Sequence, residues 1–272
     1  MLLPGLKEGN EMKLLVQSDD YGITPGVSSG IIYGIKHGMI RNTGLFANMP
    51  WTEECVEMIR PYLTEIAFGI DLNISTGRPL SRQEDITTLV QEGGSFHSGW
   101  ESRKLDGECE DGNHCLDQEV EKEYELQIQK FIDLVGGKPD YIHGHAYMTE
   151  RIIAIQKKLA DRYNIPYSRE VYQKITGNDI FRGVCPWYVK PATIENQMRS
   201  SLSVYLNDHM SEILAKDIDM LIGHMGFVDA QLVEMSSYNF YRMNDLAAVL
   251  DQEILHTLLV NHVELITYKD LK

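Results

Sequence analysis

The feature that most constrains the fold is a short apolar run that ends in two adjacent carboxylates. Residues 13–18 are typical of a buried parallel strand, and Asp19 and Asp20 follow directly, ahead of a turn rich in Gly and Pro. Ligands bind at the carboxyl ends of strands in α/β folds. Two adjacent anions repel each other, so they are tolerated mainly where a cation or a shared proton compensates them. The pair predicts a metal or acid–base site; a turn in which one acid caps the helix near Pro25 is the alternative.

The segments after this strand alternate between helix and strand patterns. Residues 27–37 carry apolar side chains at helical spacing, and a second helix is predicted for 52–62. Residues 44–47 and 66–70 are strand-like, and Asp71 comes directly after the second of them. This alternation is typical of a parallel sheet with helices outside it.

The later part of the chain repeats the pattern after one long interruption. Residues 75–117 are rich in Gly, Ser and charged residues, which predicts a long loop that could act as a lid or a binding loop. The elements predicted beyond it are helices at 117–134, 149–163 and 246–259 and strands at 141–145, 165–169, 219–226 and 264–268.

Titratable side chains recur where strands end. In a parallel barrel these ends converge on one rim, so we expect the side chains to share one site. His143 and His145 are two residues apart, which on a strand points both rings to one face in a chelating arrangement. Carboxylate and imidazole donors suit several divalent metals. The residues concerned are Asp19, Asp20, Asp71, His143, His145 and His224.

Composition narrows the class of partner. Forty acidic and 25 basic residues give a formal net charge of −15, which argues against nucleic acid or an anionic membrane. No apolar stretch approaches the roughly 20 residues that span a bilayer, and no export signal is recognisable, so a cytoplasmic protein is predicted. We expect one domain over 12–272, with 1–11 as an N-terminal extension, because no linker divides the chain.

Several motifs together make the sequence similar to a known family. Residues 18–22 (SDDYG) correspond to Ala-Asp-Asp-Phe-Gly, residues 69–80 to a Gly-x-His-Leu-Asn-Leu-Thr-x-Gly-x-Pro motif, and residues 139–145 to Pro-x-x-Ile-Asp-Gly-His. Residues 223–229 correspond to a His-Pro-Gly-Tyr-x-Asp segment. From Met12 onward the chain resembles the YdjC-like carbohydrate deacetylases, the family that includes the chitooligosaccharide deacetylase.

The resemblance implies an α/β fold, a distorted (β/α) barrel of the polysaccharide-deacetylase type with mostly parallel strands. It also implies one divalent metal ion, held by Asp20, His145 and the residue at the family's second metal His, which here is Asp71. The carboxylate of Asp71 in place of the family's imidazole adds negative charge, so this substitution favours a hard ion such as Mg²⁺, with Mn²⁺, Co²⁺ and Zn²⁺ as further candidates.

The resemblance also implies catalytic roles. Asp19 would be the general base, and His224 the acid or the oxyanion partner. Arg169 could hold Asp19 ionised or bind substrate, and an ordinary surface ion pair is an equal alternative. Candidate substrate-binding residues are Asn73, His143 and Trp100, of which the tryptophan could stack on a sugar ring or simply pack.

The predicted activity is hydrolysis of N-acetyl groups from chitooligosaccharide-like carbohydrates. Two alternatives stay open: a catalytically silent carbohydrate-binding barrel, favoured by Asp71, and a metal-dependent hydrolase of another bond. His143 stands where the family has Asp, and could supply the imidazole lost at position 71; Tyr147 replaces a second His. The oligomeric state is left open: apolar residues such as Phe240 and Leu246 could form the face of a homodimer or close the barrel.

Overall fold

The computed structural model describes residues 11–179 and 185–271, so nearly all of the predicted extension at 1–11 lies outside the described residues. The chain divides into two compact units. The first contains residues 11–19, 26–42 and the described residues from 172 onward; the second contains 20–25 and 43–171. The prediction of one domain over 12–272 stays a prediction.

Strands and helices alternate through much of the described chain. The strands are β1 (Lys13–Tyr21), β2 (Asn42–Leu45), β3 (Ala67–Leu72), β4 (Ile142–Gly144), β5 (Ile218–Gly223) and β6 (Glu264–Ile266). The helices are α1 (Pro25–His37), α2 (Thr52–Ile59), α3 (Gly99–Asp106), α4 (Asp117–Val135), α5 (Glu150–Tyr163), α6 (Ser168–Thr176), α7 (Ile194–Arg199), α8 (Leu202–Leu214), α9 (Ala230–Met235), α10 (Phe240–Val249) and α11 (Gln252–Val260).

The first unit is built around β1. This strand pairs in parallel with β5 and with β6, and every residue after Lys13 is buried. The apolar side chains of Leu14, Leu15 and Val16 explain that burial, because a parallel strand is covered on both faces. The last two residues of β1, Asp20 and Tyr21, belong to the second unit.

The second unit places β3 between β2 and β4. Strands β3 and β4 run parallel, and the register sets Asp71 opposite His143. Asp71 is the fifth residue of β3 rather than the residue after it, because the strand extends to Leu72. The predicted α/β class with mostly parallel strands is confirmed.

Two predicted elements are wrong. Residues 165–169 form no strand: Tyr167 makes a single parallel bridge to Ile142, and α6 begins at Ser168. The helix predicted for 246–259 is two helices, α10 and α11. Asp251 separates them, because its side chain accepts hydrogen bonds from the backbone N–H groups of Glu253 and Ile254 and so caps α11.

The predicted loop at 75–117 contains a helix that the sequence patterns did not indicate. Helix α3 begins after Ser98, which forms a capping box with Glu101. The helix predicted for 117–134 is confirmed as α4, which contacts α5 in the same unit. None of the helices within 11–179 and 185–271 combines the length and apolar character needed to cross a membrane.

Candidate functional site

The three residues predicted to bind metal lie together in the second unit. The backbone N–H of Asp20 donates a hydrogen bond of 2.7 Å to Oδ2 of Asp71. Oδ1 of Asp20 lies 2.8 Å from Nδ1 of His145. The three residues come from the carboxyl-terminal parts of β1 and β3 and from the residue after β4. Parallel strands therefore bring together residues that are far apart in the sequence.

The backbone of Asp20 adopts an uncommon conformation. Its φ angle is +70°, in the left-handed region that costs free energy for residues other than glycine. The carbonyl oxygen of Asp20 accepts a hydrogen bond of 3.1 Å from the N–H of Ile23, which closes the turn after the strand. Residues in such strained conformations cluster at functional sites, because the surrounding structure has to enforce them.

The imidazole of His145 is held from two sides. Besides its contact with Asp20, its Nε2 lies 3.4 Å from Oγ1 of Thr76. Its ring and the Phe46 ring form a T-shaped pair with 4.7 Å between their centroids. If the imidazole is neutral with its proton on Nδ1, it donates to Asp20, and Nε2 keeps a lone pair for a ligand.

The chemistry of these donors fits a divalent cation. Asp20 and Asp71 are 1% and 0% exposed, and buried carboxylates need a compensating positive charge. In the structure the donors are hydrogen-bonded to one another, and the described residues contain no group of three or more His, Cys, Asp or Glu side chains arranged around a common ion position. Metal binding by Asp20, Asp71 and His145 therefore stays a prediction.

Asp19, the predicted general base, lies in the first unit and is 5% exposed. Nε2 of Gln17 donates a hydrogen bond of 2.6 Å to Oδ1 of Asp19. The hydroxyl of Tyr268 in turn donates to Oε1 of Gln17 over 2.6 Å. This chain of hydrogen bonds fixes the orientation of the amide, and through it that of the carboxylate.

His224, the predicted acid, also lies in the first unit, beside a buried carboxylate that the sequence analysis missed. The backbone N–H of His224 donates to Oδ2 of Asp245 over 3.1 Å, and its Nδ1 lies 3.3 Å from the hydroxyl of Tyr188. Tyr188 and Trp187 both donate hydrogen bonds to Asp245. The available signal was an acid on the buried face of α10, one turn after Tyr241.

Burial controls the protonation of Asp245 and Tyr188. Desolvation raises the pKa of Asp245 to about 7, although hydrogen bonds from Tyr188, His224 and Trp187 oppose the rise. Desolvation and the nearby Asp245 raise the pKa of Tyr188 well above its usual value, so that its hydroxyl stays protonated and donates. Asp245 therefore holds the backbone of His224 in place, and Tyr188 holds its ring.

The other predicted site residues have different surroundings. Nδ1 of His143 lies 2.7 Å from Oγ of Ser168, so its ring contacts α6. Arg169 is the next residue of that helix and is half-buried. Trp100, in the first turn of α3, is 73% exposed. Their catalytic or substrate-binding roles stay predictions.

Asn73 is fully buried, and its amide group is used within the protein. Its Nδ2 donates to Oδ1 of Asn48 and to the carbonyl oxygen of Thr76, over 3.0 and 2.7 Å. Its Oδ1 accepts from the N–H of Ser75. These contacts stabilise the turn after β3, in which Thr76 lies next to His145.

A second polar cluster in the second unit was also missed by the sequence analysis. The hydroxyl of Tyr147 donates to Oδ2 of Asp106 over 2.6 Å, and Nδ1 of His114 lies 2.7 Å from Oδ1 of the same residue. Sγ of Cys115 lies 3.1 Å from Nε2 of His114. Burial raises the pKa of Cys115 to about 12, so the thiol stays protonated. Nothing in the local sequence relates Asp106 to Tyr147.

Comparison with known proteins finds relatives that match most of the chain. The family described as YdjC-like protein matches residues 13–259. A carbohydrate deacetylase from Clostridium beijerinckii is 29% identical over 268 residues, which is 96% of this chain and 100% of that protein. A carbohydrate deacetylase from Thermoanaerobacter pseudethanolicus is 26% identical over 264 residues, covering 95% of this chain and 99% of the relative.

Among solved structures, a protein from Enterococcus faecalis with a provisional assignment to cellobiose-phosphate cleavage has the same fold. It superposes with a TM-score of 0.77 at 21% identity and covers 96% of this chain and 99% of its own. The family match includes residues of all three strand ends that meet at Asp20, Asp71 and His145. The chain belongs to the YdjC-like protein family.

Proposed function

We propose that this protein is a carbohydrate deacetylase that removes N-acetyl groups from chitooligosaccharide-like substrates. Membership of the family and the names of two relatives support the reaction class. The observation that carries the proposal is the contact of Asp20 with Asp71 and His145, which collects two buried carboxylates and an imidazole at the strand ends. Such a donor set is suited to amide hydrolysis assisted by a cation.

Asp20, Asp71 and His145 would hold one divalent ion. Two carboxylates and one imidazole form a donor set rich in oxygen, which favours Mg²⁺ over softer ions, with Mn²⁺, Co²⁺ and Zn²⁺ as alternatives. When bound, such an ion polarises a carbonyl group and lowers the pKa of water. The contact of His145 with Asp20 would orient the ring and leave Nε2 as the donor atom.

The protein's own side chains would move the protons. Asp19 would accept a proton from the attacking water as the C–O bond to the acetyl carbon forms. His224 would donate a proton to the nitrogen of the leaving amino sugar as the C–N bond breaks. The products are acetate and a free amine. Gln17 fixes the Asp19 carboxylate, and Tyr188 and Asp245 hold His224, so both groups are pre-oriented.

The substrate side of the proposal depends on Trp100. Its exposed ring at the start of α3 could stack on the apolar face of a pyranose, as aromatic side chains do in sugar sites. The net charge of −15 favours a neutral substrate or one that becomes cationic when deacetylated.

The test is release of acetate from N-acetylated chitooligosaccharides. The protein is treated with EDTA and then supplied in turn with Mg²⁺, Mn²⁺, Co²⁺ or Zn²⁺. We expect acetate only when a divalent ion is present, and none from Asp20→Ala or His145→Ala. Equal rates of acetate release with EDTA and with an added ion would exclude a role for a metal ion in the reaction. Binding of the oligosaccharide without acetate release under any condition would identify the silent barrel instead.

A further inference from the structure

Gly44, on the buried strand β2, faces the carboxylate of Asp71 at a distance that no other residue would allow. A Cβ atom at position 44 would lie 1.8 Å from Oδ1, 2.5 Å from Cγ and 3.0 Å from Oδ2 of Asp71. Real Cβ atoms essentially never approach a heavy atom of a residue that is not adjacent in the chain within 3.0 Å. Even the methyl group of alanine would therefore displace the carboxylate.

The carboxylate of Asp71 also contacts the backbone of Asp20. Its Oδ2 accepts the 2.7 Å hydrogen bond from the backbone N–H of Asp20, the residue whose φ angle is +70°. The side chain of Asp20 then meets His145. The contacts thus run in series from Gly44 through Asp71 and Asp20 to His145, all within one compact unit.

The burial of these residues leaves the carboxylate little freedom to move. Asp71 is 0% exposed, and all four residues of β2 are buried. A packed interior accommodates an added methyl group only by shifting its neighbours. The neighbour in the way is a short side chain on the adjacent strand, so a shift of Asp71 is the direct response.

We propose that Gly44 is a positioning residue for this site: its missing side chain makes room for the Asp71 carboxylate, which fixes Asp20 in its left-handed conformation. Gly44 and Asp71 form a matched pair. The fit between Gly44 and the Asp71 carboxylate does not depend on any ligand. The effect of Gly44 on ion binding rests on the function proposed above.

The first experiment is a double-mutant cycle on the metal-free protein, with the midpoint of thermal unfolding measured in EDTA. We expect Gly44→Ala to lower Tm by on the order of 5 °C, as overpacking does in a chain of this size. In an Asp71→Ala background the same change should lower Tm by less than about 2 °C, because the clashing carboxylate is gone. Gly137→Ala is the matched control, since a Cβ at that position meets nothing within 4 Å.

The second experiment separates positioning from general destabilisation. Binding of Co²⁺ is titrated by its visible absorption at a temperature where every variant is folded. We expect Gly44→Ala to weaken Co²⁺ binding at least tenfold, and Gly137→Ala to leave it unchanged. A lowered Tm with unchanged Co²⁺ affinity would reduce Gly44 to a packing residue and overturn the positioning role.

Equal loss of Tm from Gly44→Ala in both backgrounds would overturn the matched pair, because the clash would then lie elsewhere. If Gly44→Ala does not fold, the Gly44→Ala/Asp71→Ala protein decides: the pair predicts that it folds, and failure to fold contradicts it. If the wild-type protein neither binds Co²⁺ nor releases acetate, the proposed function fails, while the Tm cycle still tests the pair.

Discussion

At the scale of single residues, Asp20 uses its backbone and its side chain for different contacts. The N–H group binds Asp71 and the carboxylate binds His145, so one strained residue joins two strand ends. Asp19, its neighbour, is oriented by Gln17 instead. Two adjacent acids in the sequence therefore have distinct partners, which agrees with distinct proposed roles as ligand and base.

Asp19→Asn tests the role of the base. The amide is isosteric and its oxygen still accepts the hydrogen bond from Gln17, but it cannot take a proton. We expect the rate of acetate release to fall by about 10²–10⁴-fold, the usual contribution of general base catalysis. Circular dichroism and Co²⁺ binding should not change. Activity within a few-fold of wild type would show that another group accepts the proton.

Asp245→Asn tests the effect of the buried carboxyl group on stability. With a pKa of about 7 in the folded protein and 3.8 as its ordinary value, Asp245 binds a proton more strongly in the folded state. Its contribution to stability is therefore present below about pH 4 and is lost as the pH rises to about 7.

We expect urea denaturation between pH 4 and pH 7 to show wild-type stability falling relative to the Asp245→Asn protein by a few kcal/mol. The slope of this difference with pH is the readout, because the substitution also changes stability at every pH. Parallel curves for the two proteins would mean that the Asp245 carboxyl has an ordinary pKa.

At the scale of elements, the sequence patterns predicted most strands and helices that carry the candidate site. The carboxyl-terminal parts of β1 and β3 were recognisable because buried apolar runs give way to polar residues there, but both strands continue past those residues, to Tyr21 and Leu72. The failures have local causes: Asp251 caps a new helix inside an apolar stretch, and Tyr167 makes one bridge before α6 begins. Hydrophobic periodicity does not reveal a capping residue that ends one helix and begins another within the same apolar stretch.

The Asp251 cap can be tested on its own. Asp251→Ala removes the side chain that accepts the N–H groups of Glu253 and Ile254, so we expect a loss of about 1 kcal/mol in the free energy of unfolding. Asp251→Asn is the matched control and should lose much less, because asparagine caps about as well as aspartate. Equal losses in both variants would show that the charge, rather than the cap, stabilises α11.

At the scale of the whole molecule, similarity extends over residues 13–259 and so includes residues of both compact units. Motif resemblance was enough to indicate the strand ends at which Asp20, Asp71 and His145 contact one another. It could not identify Asp245, Asp106 or Gly44, because their importance comes from partners distant in the sequence. The contact of Gly44 with Asp71 in particular has no local pattern and appears only once β2 and β3 are adjacent.

The central claim is that Asp20, Asp71 and His145 bind one divalent ion. Crystals soaked in Mn²⁺ or Co²⁺, with data collected at the absorption edge of the metal, test it most directly. The account predicts one strong anomalous peak within coordinating distance of all three side chains, and no peak there in crystals of His145→Ala. A wild-type crystal without a peak at these residues, or with its only peak elsewhere, would contradict it.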